Sequence, residues 1–264
     1  MARIVNKINE QWEFGKQGKT TDISLPHTWN AEDGQTGPEL YFRGICTYRR
    51  QLKKPELAPG QQVYIEFRGV NSSAVVRMNG KELARHDGGY STFRVNVTDA
   101  MEADNTLEVL VDNAPNAKVY PQRADFTFYG GIYRDVYMII ADQSHFDLDY
   151  YGGSGFRITP EVNRESAAVR FETYSVGEAE KIVVSIAGVG ETALALETVG
   201  GKTYGKGSID IANVHRWDGV DDPYLYEATA VLYRGGEAVD VVTERFGCRE
   251  FRFDAKEGFF LNGR

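Results

Sequence analysis

Apolar and polar residues alternate at a period of two along most of this chain, and that pattern restricts it to β-sheet. Val63, Ile65 and Phe67 alternate with Tyr64, Glu66 and Arg68; Leu107, Val109 and Val111 alternate with Glu108, Leu110 and Asp112; Val169, Phe171 and Thr173 alternate with Arg170, Glu172 and Tyr174. Successive strand side chains point to opposite faces, so each stretch reads as a half-buried strand. Asn79-Gly80, directly after Val75-Val76-Arg77-Met78, predicts a two-residue hairpin turn, because both turn positions need positive φ. Glycine pairs at 88–89, 130–131, 152–153, 200–201 and 235–236 punctuate the rest. With 28 glycines and almost no long stretch of helical period, the expected fold is all-β, built as packed sandwiches.

The 264 residues suffice for one large domain or two ordinary ones, and a hydrophobic fraction of 42% supplies a real core. No run approaches the roughly 18 uninterrupted apolar residues of a bilayer span, so no membrane is expected. Lys and Arg number 30 against 38 Asp and Glu, giving 30 − 38 = −8. A chain this acidic has no electrostatic reason to seek phosphate backbones, so no nucleic-acid partner is expected either. Cys46 and Cys248 lie in strand-like stretches and read as buried thiols in a reducing compartment. The start, Met-Ala-Arg-Ile-Val-Asn, lacks a basic segment followed by an apolar one, and a cytoplasmic placement is expected. Asn71-Ser-Ser and Asn96-Val-Thr match the glycosylation acceptor pattern, which is short enough to arise by chance.

A boundary is expected near Asp142-Gln143-Ser144, where one strand series ends in Val136–Ile140 and another begins at His145-Phe146-Asp147. Pro115 to Asp125 breaks the alternation with a long irregular loop, and loops of that length inside a compact domain tend to be functional. The last segment closes on Glu257-Gly258-Phe259-Phe260-Leu261-Asn262-Gly263-Arg264, which reads as an apolar hairpin with an Asn-Gly turn. A chain seldom stops on exposed Phe-Phe-Leu, so a continuation past Arg264 is expected.

Most catalytic signatures are missing from the pattern. Gly188-Val189-Gly190-Glu191-Thr192-Ala193 follows the strand-like Lys181–Ile186 and matches a dinucleotide fingerprint. That fingerprint belongs in a βαβ array, which nothing else here supplies, so a tight turn between strands is the expected structure. His27, His86, His145 and His215 show no metal-ligand spacing, no Gly-x-Ser-x-Gly elbow occurs, and no carboxylate pair stands apart. One block is rich: Ala124-Asp125-Phe126-Thr127-Phe128-Tyr129-Gly130-Gly131-Ile132-Tyr133-Arg134-Asp135-Val136 sets aromatics around a carboxylate. Aromatic faces stack on sugar C–H groups while a carboxylate accepts hydroxyl protons. The same composition also fits a strand end with core aromatics, Arg134 pairing with a carboxylate.

Several blocks in sequence order resemble the amino-terminal part of family 2 glycoside hydrolases, most nearly bacterial β-galactosidases. They are Ile23–Asn30 with Pro26-His27-Thr28-Trp29, Gly44–Arg50, Phe67-Arg68-Gly69-Val70, Val76–Lys81, His86–Phe93, Asp125–Val136, Asp222-Pro223-Tyr224-Leu225-Tyr226, Arg245–Arg249 and Gly258–Arg264. The resemblance implies a jelly-roll-like β-sandwich of the sugar-binding type over 1–142, then an immunoglobulin-like β-sandwich over 143–246. Residues 247–264 would be the opening hairpin of a (β/α)8 barrel. In that family two barrel glutamates perform retaining hydrolysis of a terminal sugar on a β-glycoside. The chain taken alone is therefore expected to be inactive, with no catalytic residue of its own.

The resemblance carries one site residue. A family aspartate nine positions before the arginine matching Arg134 touches the terminal sugar, and in some β-galactosidases a sodium ion; that position is Asp125. These residues call for no cofactor, while sodium or magnesium is implied for the longer protein. Some β-galactosidases have a substrate-contacting asparagine shortly before the glycine matching Gly44, where this chain has Tyr41-Phe42-Arg43. The 130–134 and 222–226 blocks favour the β-galactosidase branch; β-glucuronidase of the same family, a free-standing carbohydrate-binding module and a homo-oligomer contact are the alternatives. The other blocks read as structural: Trp29 anchoring a buried loop with His27 satisfied by backbone, Tyr224-Leu225-Tyr226 beginning a core strand, and Gly88-Gly89-Tyr90 a turn held by its aromatic.

Overall fold

The computed structural model describes residues 3–33, 41–121, 123–163 and 165–264. The chain is all-β and divides into two compact units, one of Ile4–Ala141 and one of Asp142–Arg264 together with Arg3. The first unit contains β1 Ile4–Lys7, β2 Trp12–Lys16, β3 Lys19–Ile23, β4 Ile45–Lys53, β5 Gln62–Phe67, β6 Val70–Asn71, β7 Ser73–Met78, β8 Lys81–Asp87, β9 Phe93–Asn96, β10 Asp104–Asp112, β11 Gly131–Ile132 and β12 Val136–Ala141. They form a jelly-roll-like sandwich of a six-stranded sheet, in order β3-β2-β4-β10-β7-β8, and a four-stranded sheet, in order β1-β12-β5-β9. A short β6–β11 pair joins Val70 to Ile132 and Asn71 to Gly131.

Strand β10 lies between β4 and β7, and its Leu107, Val109 and Val111 are fully buried while the residues between them are half-buried, as the alternation predicts. Fully burying each such side chain contributes about 1.5–3 kcal/mol. The predicted turn at Asn79-Gly80 joins β7 to β8 with φ of 52° and 80°, conformations an asparagine and a glycine tolerate. Strand β5 departs from the half-buried reading. Tyr64 and Glu66 are buried along with Val63, Ile65 and Phe67. The Glu66 carboxylate accepts from Arg68 Nε at 2.9 Å and Arg94 Nε at 2.7 Å. Alternation cannot tell a carboxylate held by two guanidinium groups from one facing water.

The second unit contains β13 His145–Phe146, β14 Phe156–Asn163, β15 Ser166–Val176, β16 Lys181–Ile186, β17 Gly190–Ala193, β18 Ala195–Val199, β19 Lys202–Ala212, β20 Tyr226–Arg234, β21 Glu237–Phe246, β22 Phe251–Asp254 and β23 Gly258–Leu261. It is the immunoglobulin-like sandwich: a sheet ordered β13-β15-β19-β18, with β14 also on β15, and a second ordered β17-β16-β20-β21. Phe146, Phe171, Ile182 and Leu232 lie in its core. The dinucleotide-like stretch is the turn of an antiparallel hairpin, with Ile186 opposite Gly190. Tyr226 opens β20 and is buried, whereas Tyr224 and Leu225 are exposed.

The last segment corrects one expectation. Strands β22 and β23 pair as a hairpin whose turn is 255–257, not Asn262-Gly263. Asn262 and Gly263 follow β23 with φ of 53° and 84°, and Leu261 and Arg264 exchange two backbone hydrogen bonds across them. Phe251, Phe253 and Phe259 are exposed on this hairpin. Among the described residues no helix is long and apolar enough to cross a membrane.

Candidate functional site

The long connection between β10 and β11 forms the wall of an aromatic bowl, and its position is fixed from beneath by two buried asparagines. Asn113 follows the last residue of β10 and is 1% exposed. Its Oδ1 accepts from Gly44 N at 2.8 Å, and its Nδ2 donates to Phe128 O at 2.9 Å and to Asn30 Oδ1 at 3.2 Å. Asn30, fully buried, accepts from Gly130 N at 2.8 Å and donates to Phe42 O at 3.0 Å and Asp33 Oδ1 at 2.9 Å. A side-chain amide offers donors and an acceptor without a charge to desolvate, which suits the binding of loop backbone inside a sandwich. Gly130 lies against the Trp29 indole: a Cβ there would sit 2.0 Å from a ring carbon, so only glycine lets the loop pass.

Tyr41 and Arg43 support the same loop. Tyr41 is buried and its hydroxyl accepts from Phe128 N at 3.1 Å. The Arg43 guanidinium lies 4.9 Å from the Phe128 ring centre, and its Nε donates to Asn113 O at 2.8 Å. Both side chains thus brace Phe128.

On the opposite wall, Asn71 Nδ2 donates to Tyr129 O at 2.6 Å, and the Tyr133 hydroxyl donates to Gly89 O at 2.5 Å. Burial, the chief influence on Tyr133, raises its pKa, so the phenol stays protonated and remains a donor at neutral pH. Among the described residues Arg134 does not pair with a carboxylate as the composition suggested. It donates to the Tyr90 and Arg68 carbonyls at 3.1 and 3.2 Å. The 88–90 turn is likewise not held by its own aromatic, since Tyr90 is 59% exposed; Asn71, Tyr133 and Arg134 hold it. His27 also differs from expectation, because its Nδ1 meets the Tyr48 hydroxyl at 2.8 Å rather than backbone. Burial lowers the His27 pKa, keeping the ring neutral in its aromatic surroundings.

These walls enclose a cavity of ≈ 220 Å³ lined by the rings of Tyr90, Phe126, Phe128, Tyr129 and Tyr133 with Asn71 and Thr127. Such a lining stacks on the C–H face of a sugar ring. Asp125 adjoins the bowl through Phe126 but does not line it. It is exposed, and among the described residues nothing hydrogen-bonds to its carboxylate. A larger cavity of ≈ 570 Å³ lies over β2, β3 and β4, but there Glu13 and Arg49 pair with each other at 3.5 Å. Among the described residues no three His, Cys, Asp or Glu side chains gather closely enough to hold a metal ion. The sequence singled out the aromatic block that lines the bowl but not the frame of Asn30, Asn113 and Asn71. The usable signal was an asparagine at the first position past a strand, beside Ala-Pro.

The galactose-binding domain-like model of glycosyl hydrolase 2 matches residues 40–146, and the glycosyl hydrolases family 2 model matches 154–249. A β-glucuronidase of Bacteroides fragilis is 33% identical over 97% of this chain and 39% of its own length. A β-galactosidase of Thermoanaerobacter pseudethanolicus is 28% identical over 98% of this chain and 36% of its own. The crystal structure of an FMN-binding β-glucuronidase from Facaelibacterium prausnitzii L2-6 superposes with a TM-score of 0.89 at 33% identity, covering 99% of this chain and 42% of that one. The chain thus spans well under half the length of these relatives.

Proposed function

The chain belongs to glycosyl hydrolase family 2, and we propose that it is the non-catalytic front of a longer retaining β-glycosidase, inactive by itself, whose 113–130 loop contributes a wall of the substrate pocket. The observation that carries this reading is the aromatic bowl held rigid from beneath, with Asp125 exposed and uncommitted at its edge. An exposed carboxylate with no partner among the described residues can accept two sugar hydroxyl protons and fix the orientation of the terminal ring. In this proposal the two hydrolytic glutamates belong to a barrel that these residues support.

Two substrates compete on separate observations. The 130–134 and 222–226 blocks favour a β-galactoside, and the B. fragilis relative, named a β-glucuronidase, favours a β-glucuronide. The test uses the full-length gene product with nitrophenyl β-galactoside and β-glucuronide. The substrate with the higher kcat/KM decides between them. Asp125→Ala should lower kcat/KM on that substrate by about 10- to 100-fold, the worth of one or two charge-assisted hydrogen bonds. Its melting temperature should not move, because Asp125 is exposed and has no partner among the described residues. An unchanged kcat/KM removes Asp125 from the site.

A further inference from the structure

We propose that the second unit carries a separate polysaccharide contact, a tyrosine platform built from Tyr150, Tyr151, Tyr174 and Tyr204. Tyr174 and Tyr204 face each other across β15 and β19, on the solvent side of the sheet whose inner side carries Val169 and Phe171. Their rings meet edge to face at 5.7 Å. Tyr150 lies flat on Tyr174 with ring centres 3.8 Å apart and planes 15° apart. Tyr151 stands edge-on to Tyr150 at 5.1 Å and is 93% exposed.

Two features show that the fold does not need Tyr151 where it is. It buries almost nothing, and its φ of 46° places a bulky residue in the left-handed region, where glycine or asparagine is preferred. The turn is nevertheless held firmly. Asp147, 3% exposed, accepts from Asp149 N at 2.9 Å and from Lys202 Nζ at 2.8 Å, and Tyr151 N donates to Asp149 O at 2.9 Å. A strained, exposed aromatic on a rigid mount is the pattern of a contact residue rather than a folding residue.

The chemistry selects the occupant. The free faces of Tyr150 and Tyr151 amount to an area on the order of 300 Å², far below the roughly 800 Å² per partner of a stable protein interface. They suit a few pyranose rings. Arg157 and Glu172, paired at 3.3 Å on the sheet face that carries Tyr174, offer a donor and an acceptor to sugar hydroxyls. The chain belongs to a family that acts on glycosides, so a β-linked polysaccharide strand is the ligand class, whichever terminal sugar the longer protein removes.

The test is retardation of the 264-residue chain in native gels containing β-1,4-galactan or glucuronoxylan. The wild-type chain should be retarded by at least one. Tyr151→Ala should weaken that binding at least fivefold. Tyr151→Gly should weaken it equally while leaving the melting temperature unchanged or higher, which separates lost contact from lost folding. Phe126→Ala, in the bowl of the other unit, should leave retardation intact. Absence of retardation by both polysaccharides, or wild-type affinity in Tyr151→Ala, overturns the platform. So does a wild-type dimer that Tyr151→Ala converts to monomer in sedimentation, since the surface would then serve self-association. Failure of the hydrolase reading shows separately, in nitrophenyl glycoside hydrolysis.

Discussion

The aromatic bowl of the first sandwich and the tyrosine platform of the second present similar rings to solvent on differently built mounts. Beneath the bowl, Asn30 and Asn113 hold loop backbone with neutral amides, both buried and each bonded at several points. Beneath the platform, Asp147 holds the turn with a carboxylate paired to Lys202, whose side chain is half in water. Neutral amides tolerate full burial and resist changes of pH and salt. A carboxylate and an ammonium need solvent or each other, and here the buried Asp147 is balanced by Lys202.

The largest expected effect breaks the first mount. Asn113→Ala strips the partners of Gly44 N and Phe128 O inside the sandwich and should cost about 3 kcal/mol in thermal or urea unfolding. Two buried thiols report which unit loosens. Burial pushes the Cys46 thiol up to about 12 and the Cys248 thiol up to about 11, so neither should react with a thiol reagent at pH 8 until its unit opens. Asn113→Ala should speed the labelling of Cys46 and leave that of Cys248 unchanged. Equal acceleration at both would show that the frame is not local to the bowl.

Asp147→Ala, the matching lesion in the second unit, should cost less, about 1–2 kcal/mol, because the freed Lys202 returns to water. Asp147→Asn keeps the acceptor for Asp149 N and should recover most of that loss. Urea midpoints of the two variants measure the difference. The smallest change is Tyr41→Phe, which removes the acceptor for Phe128 N at 3.1 Å and should cost about 1 kcal/mol.

Acid sharpens the comparison further. Asn30 and Asn113 do not titrate, but Asp33, which accepts from Asn30 Nδ2 at 2.9 Å and Phe42 N at 3.1 Å, does: burial opposes its charge, yet those hydrogen bonds and Lys16 hold its carboxyl below the ordinary value. Acid loosening of the first sandwich should therefore involve Asp33 and, more strongly, Asp135. Hydrogen bonds from Lys7, then Asn9 and Tyr137, hold its carboxyl down to about 2, against an ordinary value of 3.8. A depressed carboxylate stabilises the fold above its ordinary pKa, and that contribution fades as pH falls from 3.8 toward 2. Asp135→Asn should flatten the pH dependence of the melting temperature across this window, whereas Asn113→Ala should lower the whole curve without changing its shape.

Sequence legibility divides along the same physical lines. The strands of β10 and β15 and the Asn79-Gly80 turn could be read directly, because period-two burial and positive φ leave local signatures in residue type. The aromatic block and Asp125 were visible as composition. Their arrangement was not: Arg134 found two carbonyls instead of a carboxylate, and His27 found a phenol instead of backbone. The amide frame was invisible, since Asn30 and Asn113 lie 83 positions apart and either would pass as an ordinary turn residue. Glu66 misled for a related reason, because its two arginine partners are what permit its burial.

By itself the sequence determined the fold class, the tight turns and the aromatic character of the site, since each follows from the residue's own shape or from its immediate neighbours. Only the tertiary structure decided which polar groups hold the bowl and which tyrosines share one sheet face. Those outcomes depend on hydrogen-bond partners and ring contacts brought together from distant strands, and a buried polar group is defined by its partner rather than by its place in the chain.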